Sequence, residues 1–300
     1  MMKNKNTIKI SAENMSVIKK LLIVLAVVIL IGGAAYYSKA SASSDATQLY
    51  AEAQKEIFPA DGFQTKIVLG DLGPKLGSSG TMDVERMKAL YLERGVAEEK
   101  LKFLTEASNE PLVLNYENAN IMLNLFWAAG IANKNPILDE MAKYEKVANL
   151  ASTGGWSLAK GDPMNYFNKV ELIDLTSEQQ ALVEEVAKNM YRPCCDNPTW
   201  FPDCNHGAAL LALLELGASQ GLTKEELYTL ALQVNTLWFP QQYLETAVYF
   251  KSQGKGYWEN AQEIVGPQYS SYSGWAKNVH KPLSEMGLIP EVSGGGSCGV

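Results

Sequence analysis

Histidine and cysteine are scarce in this chain, with two histidines and four cysteines among 300 residues. His206 and His280 are too far apart for a His-Glu-x-x-His zinc motif, and neither lies in the sequence context of a Ser-His-Asp triad. The chain also lacks a Cys-x-x-Cys-His motif for covalent haem and a Gly-x-x-x-x-Gly-Lys-Ser/Thr motif for nucleotide phosphates. The sequence therefore favours a role other than catalysis.

Basic residues are few outside the N-terminal region. The first 42 residues hold six of the 26 lysines and arginines but one of the 33 acidic residues, so the rest of the chain carries a net charge of −12. An acidic domain of this kind is a poor partner for nucleic acid or for an anionic lipid surface. We therefore expect no nucleic-acid binding, and we attribute the charge to solubility.

One long apolar run, Leu21–Tyr37, lies near the N-terminus and contains no charged residue. As a helix it would be roughly 25 Å long, close to the roughly 30 Å hydrocarbon core of a bilayer. Five lysines precede the run and only Lys39 follows it closely, an asymmetry that keeps the N-terminus in the cytoplasm. We predict a basic cytoplasmic leader at 1–20, a single transmembrane anchor at 21–38 and an extracytoplasmic remainder, with the membrane as a partner.

A cleaved signal peptide is the alternative interpretation of this run. Ala40-Ser41-Ala42 has the small-residue pattern of a cleavage site. The run is longer than the roughly 7–15 apolar residues of a signal peptide, and this favours a retained anchor. Both interpretations place the rest of the chain outside the cytoplasm.

Helical patterns dominate the rest of the chain. Thr176 and Thr223 each begin a capping box, which predicts helices extending to about Met190 and Trp238. Further helices are predicted at 45–57, 82–93, 97–107, 117–131 and 205–219. Strand patterns are scarce, and the best short one is 66–69. We predict a mainly all-α fold, in which the anchor is followed by a multi-helix globular domain with long ordered loops.

Composition also suggests where this domain begins and ends. A small, polar linker is predicted at 39–46, the helical domain at 47–292 and a flexible Gly-rich tail at 293–300. A sub-boundary is predicted near 152–162, around a Gly-Gly pair. The segment Tyr269–Trp275, rich in Tyr, Ser and Gly, is predicted to be a loop held down by its aromatic rings.

Three of the four cysteines lie within eleven residues of one another. They are Cys194, Cys195 and Cys204, and His206 follows two residues later. The fourth, Cys298, lies in the C-terminal tail. This clustering marks the segment as the candidate functional site.

The segment between the cysteines is expected to fold back on itself. Pro193 and Pro202 bound a turn-rich loop, which can bring Cys204 to the vicinal cysteine pair. Asp203 or Asn205 is a suitable N-cap for the apolar helix that follows. Cys204 would then lie at or near the helix N-terminus, where partial positive charge lowers a thiol pKa.

We favour a metal site at this cluster. Cys194, Cys195, Cys204 and His206 form a Cys₃His set that suits Zn²⁺, and soft thiolates also suit copper as Cu(I). The spacing differs from the usual Cys-x₂₋₄-Cys pairs, and adjacent cysteines often point apart. The prediction is a membrane-anchored extracytoplasmic protein that holds or senses a soft metal ion, or is stabilised by one.

Two alternatives use the same cysteines differently. In an oxidising compartment they can form structural disulfides, joining Cys204 to one of the vicinal pair and another cysteine to Cys298. The protein would then be a binding module with an unidentified protein partner. In the third interpretation, the chain is a thiol-disulfide redox protein. Cys204 is then the reactive thiol and one vicinal cysteine is its resolving partner, although the usual Cys-x-x-Cys motif is missing.

Overall fold

The computed structural model describes residues 46–144 and 146–289 and is mainly helical. The first half contains α1 (46–57), β1 (Phe63–Gly70), α2 (Leu72–Ser79), α3 (Val84–Glu93), a 3₁₀-helix (Glu98–Leu104), β2 (Ser108–Leu114), α4 (Ala119–Ala132) and α5 (Pro136–Tyr144). The second half contains the long helices α6 (Ser177–Asn189), α7 (Asn205–Ser219), α8 (Lys224–Trp238) and α9 (Pro240–Ser252). Short helices follow: α10 (Ala261–Ile264), α11 (Pro267–Ser270), α12 (Tyr272–Trp275), a π-helix (Ala276–His280) and α13 (Lys281–Glu285).

The predicted leader at 1–20, anchor at 21–38 and tail at 293–300 lie outside the described residues, as does nearly all of the linker. Among the helices that the structure does describe, none combines the length and the apolar character needed to cross a bilayer. The transmembrane anchor therefore remains a prediction from the sequence.

Both predicted capping boxes are confirmed. Thr176 Oγ1 accepts a hydrogen bond from Gln179 N at 3.2 Å, and Gln179 Oε1 accepts one from Thr176 N at 2.9 Å. Thr223 and Glu226 make the same reciprocal pair at 3.3 and 2.8 Å. These boxes begin α6 and α8 where predicted, because each satisfies two N–H groups that the first helical turn leaves unpaired.

The other helix predictions are confirmed except for one, and one loop prediction is wrong. The segment predicted as a helix at 97–107 forms a 3₁₀-helix at Glu98–Leu104. The segment Tyr269–Trp275, predicted as a loop, is helical, because Pro267 suits the first turn of α11 and Ser271 caps α12. The Ser271 hydroxyl accepts a hydrogen bond from Gly274 N at 3.0 Å. Helices α2, α5 and α9 were not predicted from the sequence.

The strand predicted at 66–69 is the centre of β1, which pairs antiparallel with β2. The partner strand was not predicted, because Pro111 and the polar residues before it hide its pattern. Gln220 closes part of the free edge of β1: its side-chain amide accepts from Val68 N at 2.9 Å and donates to Val68 O at 2.8 Å. A short sheet edge covered in this way is protected from pairing with another chain.

Helices α4 and α7 form the centre of the molecule, and both are buried along almost their whole length. They approach closely at Gly130, where an added Cβ would lie 1.8 Å from Ala208 O. Only glycine allows this approach. The contact fixes the N-terminal end of α7, and the candidate site lies at that end.

The predicted sub-boundary near 152–162 stays a prediction. That segment contacts parts of the chain on both sides of it. Ser152 N donates to Asp203 O at 3.0 Å, and Trp156 Nε1 donates to Thr81 O at 2.8 Å. The Trp156 ring also packs edge-on against Trp127, at 4.9 Å between ring centroids.

Glu215 is a fully buried acid in the middle of α7. Its carboxyl oxygens accept hydrogen bonds from the side-chain amides of Asn133, at 3.0 Å, and Asn135, at 2.5 Å. Asn133 is held in this orientation because its Oδ1 accepts from Leu172 N and Ile173 N, both at 3.0 Å. Burial outweighs the two amide hydrogen bonds and raises the pKa of Glu215 to about 8.

We predict that Glu215 makes the protein less stable as the pH rises. Its folded-state pKa of about 8 lies above the ordinary value of 4.5, so the folded chain keeps a proton that the unfolded chain releases. The stability that Glu215 contributes is therefore fully present below about pH 4.5 and is lost as the pH rises through about 8. Urea unfolding at about pH 5 and about pH 8 should show a smaller decline for Glu215→Gln than for the wild type.

The matched control is Glu171→Gln, which changes an exposed glutamate whose side chain is 74% accessible. This variant should keep the wild-type decline. An unchanged decline in Glu215→Gln would show that Glu215 is not the buried acid responsible.

Candidate metal centre

Three cysteine sulfurs converge at the N-terminal end of α7. The Sγ atoms of Cys194, Cys195 and Cys204 all lie within 4.8 Å of one another. Cys194 Sγ and Cys204 Sγ lie 3.6 Å apart. Cys194 is exposed, and the other two are half-buried. The predicted fold-back of the loop is confirmed.

The sulfur spacing suits a single metal ion. With zinc–sulfur bonds of about 2.3 Å, two ligand sulfurs lie about 3.8 Å apart in a tetrahedral site and about 4.0 Å apart in a trigonal one. The observed 3.6 Å between Cys194 and Cys204 is close to these values. Small side-chain rotations would bring Cys195 to the same spacing, since no pair exceeds 4.8 Å.

The vicinal cysteines reach one point although adjacent side chains often diverge. Their backbone turns sharply, with Cys195 N within 3.5 Å of Arg192 O. Helix α12 holds the turn from outside: Tyr272 N donates to Cys195 O at 3.0 Å, and Ser273 N donates to Asp196 Oδ1 at 2.8 Å. These contacts cross more than 70 residues of sequence, so local patterns gave no sign of them.

Cys204 is itself the N-cap of α7. Its Sγ accepts a hydrogen bond from Gly207 N at 3.4 Å. The prediction that Asp203 or Asn205 would be the N-cap is wrong, because Arg192 and Asn197 engage the Asp203 carboxylate. The prediction that Cys204 lies at the helix N-terminus is confirmed.

Arg192 is the residue of this site that sequence reasoning missed. Its side chain is fully buried, and its guanidinium contacts the middle and the C-terminal end of the cysteine loop. Nε donates to Cys204 Sγ at 3.2 Å, Nη2 to Asp203 Oδ1 at 2.7 Å and Nη1 to Asn197 O at 2.9 Å. The signal in the sequence was an arginine directly before Pro-Cys-Cys. This pattern does not show that the arginine side chain turns inward.

Gly207 makes room for this arginine. A Cβ at Gly207 would lie 2.5 Å from Arg192 Nη2 and 2.7 Å from Arg192 Cζ. The guanidinium therefore lies directly across the first turn of α7. A glycine at this position is a requirement of the site rather than of the helix.

The electrostatics concentrate negative charge on Cys204. Hydrogen bonds from the thiols of Cys194 and Cys195, together with the charge of Arg192, hold the pKa of Cys204 well below its ordinary value despite burial. Hydrogen bonding within the cluster and burial raise the pKa of Cys194. The hydrogen bond from Cys194 lowers the pKa of Cys195, but Cys204 and burial raise it overall.

Arg192 is held as a cation by the same cluster. Burial alone lowers the pKa of Arg192, but the negative charge at Cys204 outweighs burial and raises it. The arrangement is a thiolate flanked by two thiols and backed by a buried cation. A metal ion that binds here displaces the remaining thiol protons, since thiolates are the metal ligands.

His206 lies beside the cluster but outside the group of three sulfurs that the structure brings together. A hydrogen bond from His206 is a minor cause of the lowered pKa of Cys204. The imidazole packs against Phe239, at 4.4 Å between ring centroids, and against Trp238 at 5.8 Å. Its role as a fourth ligand therefore stays a prediction.

The remaining histidine and cysteine belong elsewhere. His280, predicted to be a surface residue, is 44% accessible, and its Nδ1 lies 2.9 Å from Oε2 of the buried Glu245. Cys298, the predicted partner for a second disulfide, lies outside the described residues. The three cysteines of the described part are free thiols in this structure.

Comparisons with known proteins add no further information about the site. Neither protein-family models, nor curated proteins, nor solved structures gave a match to this chain.

We predict that Gly207→Ala will move Arg192 away from Cys204. The added methyl group overlaps the guanidinium, so the unfolding free energy should fall by about 1–3 kcal/mol. Because the thiolate loses a hydrogen bond from a cation, the pKa of Cys204 should rise. The pH dependence of Cys204 alkylation, followed by mass spectrometry of its peptide, measures this rise.

Gly217→Ala, at the other end of α7, is the matched control. An added Cβ there meets the Leu227 and Leu222 side chains and not the site. It should affect stability without moving the alkylation profile. The same profile in Gly207→Ala and the wild type would contradict the role given to Arg192.

Proposed function

We propose that this chain binds one soft metal ion through Cys194, Cys195 and Cys204. The observation that carries the proposal is the convergence of three sulfurs within 4.8 Å in a single loop. Soft thiolates select zinc, Cu(I) or iron–sulfur clusters over the hard cations that carboxylates prefer. Asp203 is occupied by Arg192 and Asn197, so the proposed donor set contains sulfur and no carboxylate.

Charge balance favours zinc over Cu(I) as the bound ion. Three thiolates carry three negative charges, and Arg192 supplies one buried positive charge beside them. A divalent ion leaves one less uncompensated negative charge than a monovalent ion does. Buried charge is costly unless it is paired, so the divalent ion is the better match.

His206 is the proposed fourth ligand. It lies in the first turn of α7, two residues after Cys204. A Cys₃His set is a closed tetrahedral site, the kind that holds a metal for structural or storage purposes. The proposed role is therefore metal holding or sensing, or metal-dependent stability, rather than catalysis at an open coordination position.

The proposed location is the extracytoplasmic side of a membrane, with residues 21–38 as the anchor. The support for this part is the uninterrupted apolar run and the five lysines that precede it. The net charge of −12 after residue 42 supports a domain that does not bind nucleic acid.

Metal analysis of the purified, reduced full-length chain tests the proposal. We expect one equivalent of zinc per chain after dialysis, and cobalt substitution should give sulfur-to-cobalt charge-transfer bands. Cys204→Ser should lose the metal and the bands, because it removes the thiolate at the centre of the cluster. The matched control is Cys298→Ser, which removes a thiol outside the loop and should keep both the metal and the charge-transfer bands.

Absence of metal from the reduced wild type, or its retention by Cys204→Ser, would refute the site. His206→Ala tests the fourth ligand separately. Because three thiolates remain, this variant should still bind zinc, but more weakly than the wild type. Unchanged zinc affinity in His206→Ala would assign the fourth position to another group.

A further inference from the structure

We infer that Cys194 and Cys204 form a reversible disulfide that closes the metal site under oxidising conditions. The proposed oxidant is a small disulfide of the glutathione class. The regulatory half of this inference rests on the proposed function, but the disulfide itself does not. Two observations carry it: the direct sulfur–sulfur contact and the difference in exposure between the two cysteines.

The two sulfurs are already in contact. Cys194 Sγ and Cys204 Sγ lie 3.6 Å apart, and a disulfide bond is about 2.05 Å long. Rotation of the side chains can close a gap of this size without unfolding the loop. Cys194 is the more exposed of the two residues, so a small disulfide in solution meets it before Cys204.

The pairing is specific for Cys204 over the vicinal cysteine. Successive Cα atoms are 3.8 Å apart across a trans peptide, whereas disulfide-linked residues usually have Cα atoms about 4.4–6.8 Å apart. A Cys194–Cys195 bond would therefore be strained. The Cys195 sulfur also lies 3.9 Å from Asn197 O and 4.0 Å from Asp203 Oδ1.

The chemistry takes place in two thiol–disulfide exchanges. The Cys194 thiol passes its proton across the sulfur–sulfur contact to the Cys204 thiolate, attacks one sulfur of the small disulfide, forms a mixed disulfide and releases one small thiolate. Cys204 then gives that proton to the released small thiolate, attacks the Cys194 sulfur, forms the Cys194–Cys204 bond and releases the second small thiolate. Two cysteine sulfurs are oxidised, one external disulfide is reduced, and the one proton that the pair held ends on a released small thiol.

Oxidation removes the metal site and leaves the loop in place. A disulfide sulfur is no longer a thiolate, so only Cys195 and the proposed ligand His206 remain, too few for a tetrahedral ion. The loop is held independently by Arg192 with Asn197 and Asp203. Bound zinc should in turn protect Cys194 and Cys204 from oxidation.

The test uses the full-length Cys298→Ser chain, which retains three thiols. The reduced, metal-free protein is treated with oxidised glutathione, and thiols are counted after denaturation. We expect the count to fall from three to one. Combined digestion at Asp and at Lys/Arg should then yield one linked pair of fragments, one ending at Cys195 and the other beginning at Asp203.

Two further variants assign the bond. Cys195→Ser should form the link at the rate of its parent, and Cys194→Ser should form it at least about tenfold more slowly, since the exposed sulfur is missing. A thiol count that stays at three, a lasting mixed disulfide with glutathione, or a Cys194–Cys195 bond would overturn the inference.

Zinc-binding measurements distinguish failure of this inference from failure of the proposed function. The oxidised chain should bind zinc at least about 100-fold more weakly than the reduced chain, and zinc should slow oxidation at least about tenfold. If the reduced chain binds no zinc but still forms the Cys194–Cys204 bond, the metal proposal fails and the disulfide stands. If zinc binds to reduced and oxidised chains alike, the regulatory role fails.

Discussion

A single buried guanidinium organises the candidate site. Arg192 bonds to the Asn197 carbonyl, the Asp203 carboxylate and the Cys204 sulfur, and so it joins the middle of the cysteine loop to its end. A buried cation is costly unless its charge is matched, and here the matching charges are a carboxylate and a thiolate. The same contacts therefore satisfy the arginine and place Cys204 against the vicinal cysteines.

The central helix pair gives this arrangement a rigid base. Helix α7 begins at the site and is fixed against α4 by the close approach at Gly130. Farther along α7, Glu215 accepts hydrogen bonds from Asn133 and Asn135, which lie just after α4. Helix α7 is thus held by apolar packing and by a buried polar network. The proposed metal site benefits from such a base, because ligand positions set on a rigid element are more precise than those on a free loop.

The sequence predicted the features that depend on neighbouring residues. The capping boxes at Thr176 and Thr223 involve groups three residues apart, and the cysteine cluster is visible because its members are close in sequence. Features that depend on distant contacts were missed. Strand β2 owes its structure to pairing with β1, and the vicinal cysteines are held by α12, more than 70 residues away. The inward turn of Arg192 likewise depends on space left by Gly207, which no local pattern reveals.

In the proposed complex, the three sulfurs of this loop surround one metal ion. X-ray absorption of the zinc-loaded full-length chain measures this most directly, because it counts the atoms around the metal. The structure predicts a shell of three sulfurs at about 2.3 Å, with one lighter nitrogen or oxygen atom at about 2.0–2.1 Å. A shell made only of nitrogen and oxygen atoms, or one with fewer than three sulfurs, would contradict the account.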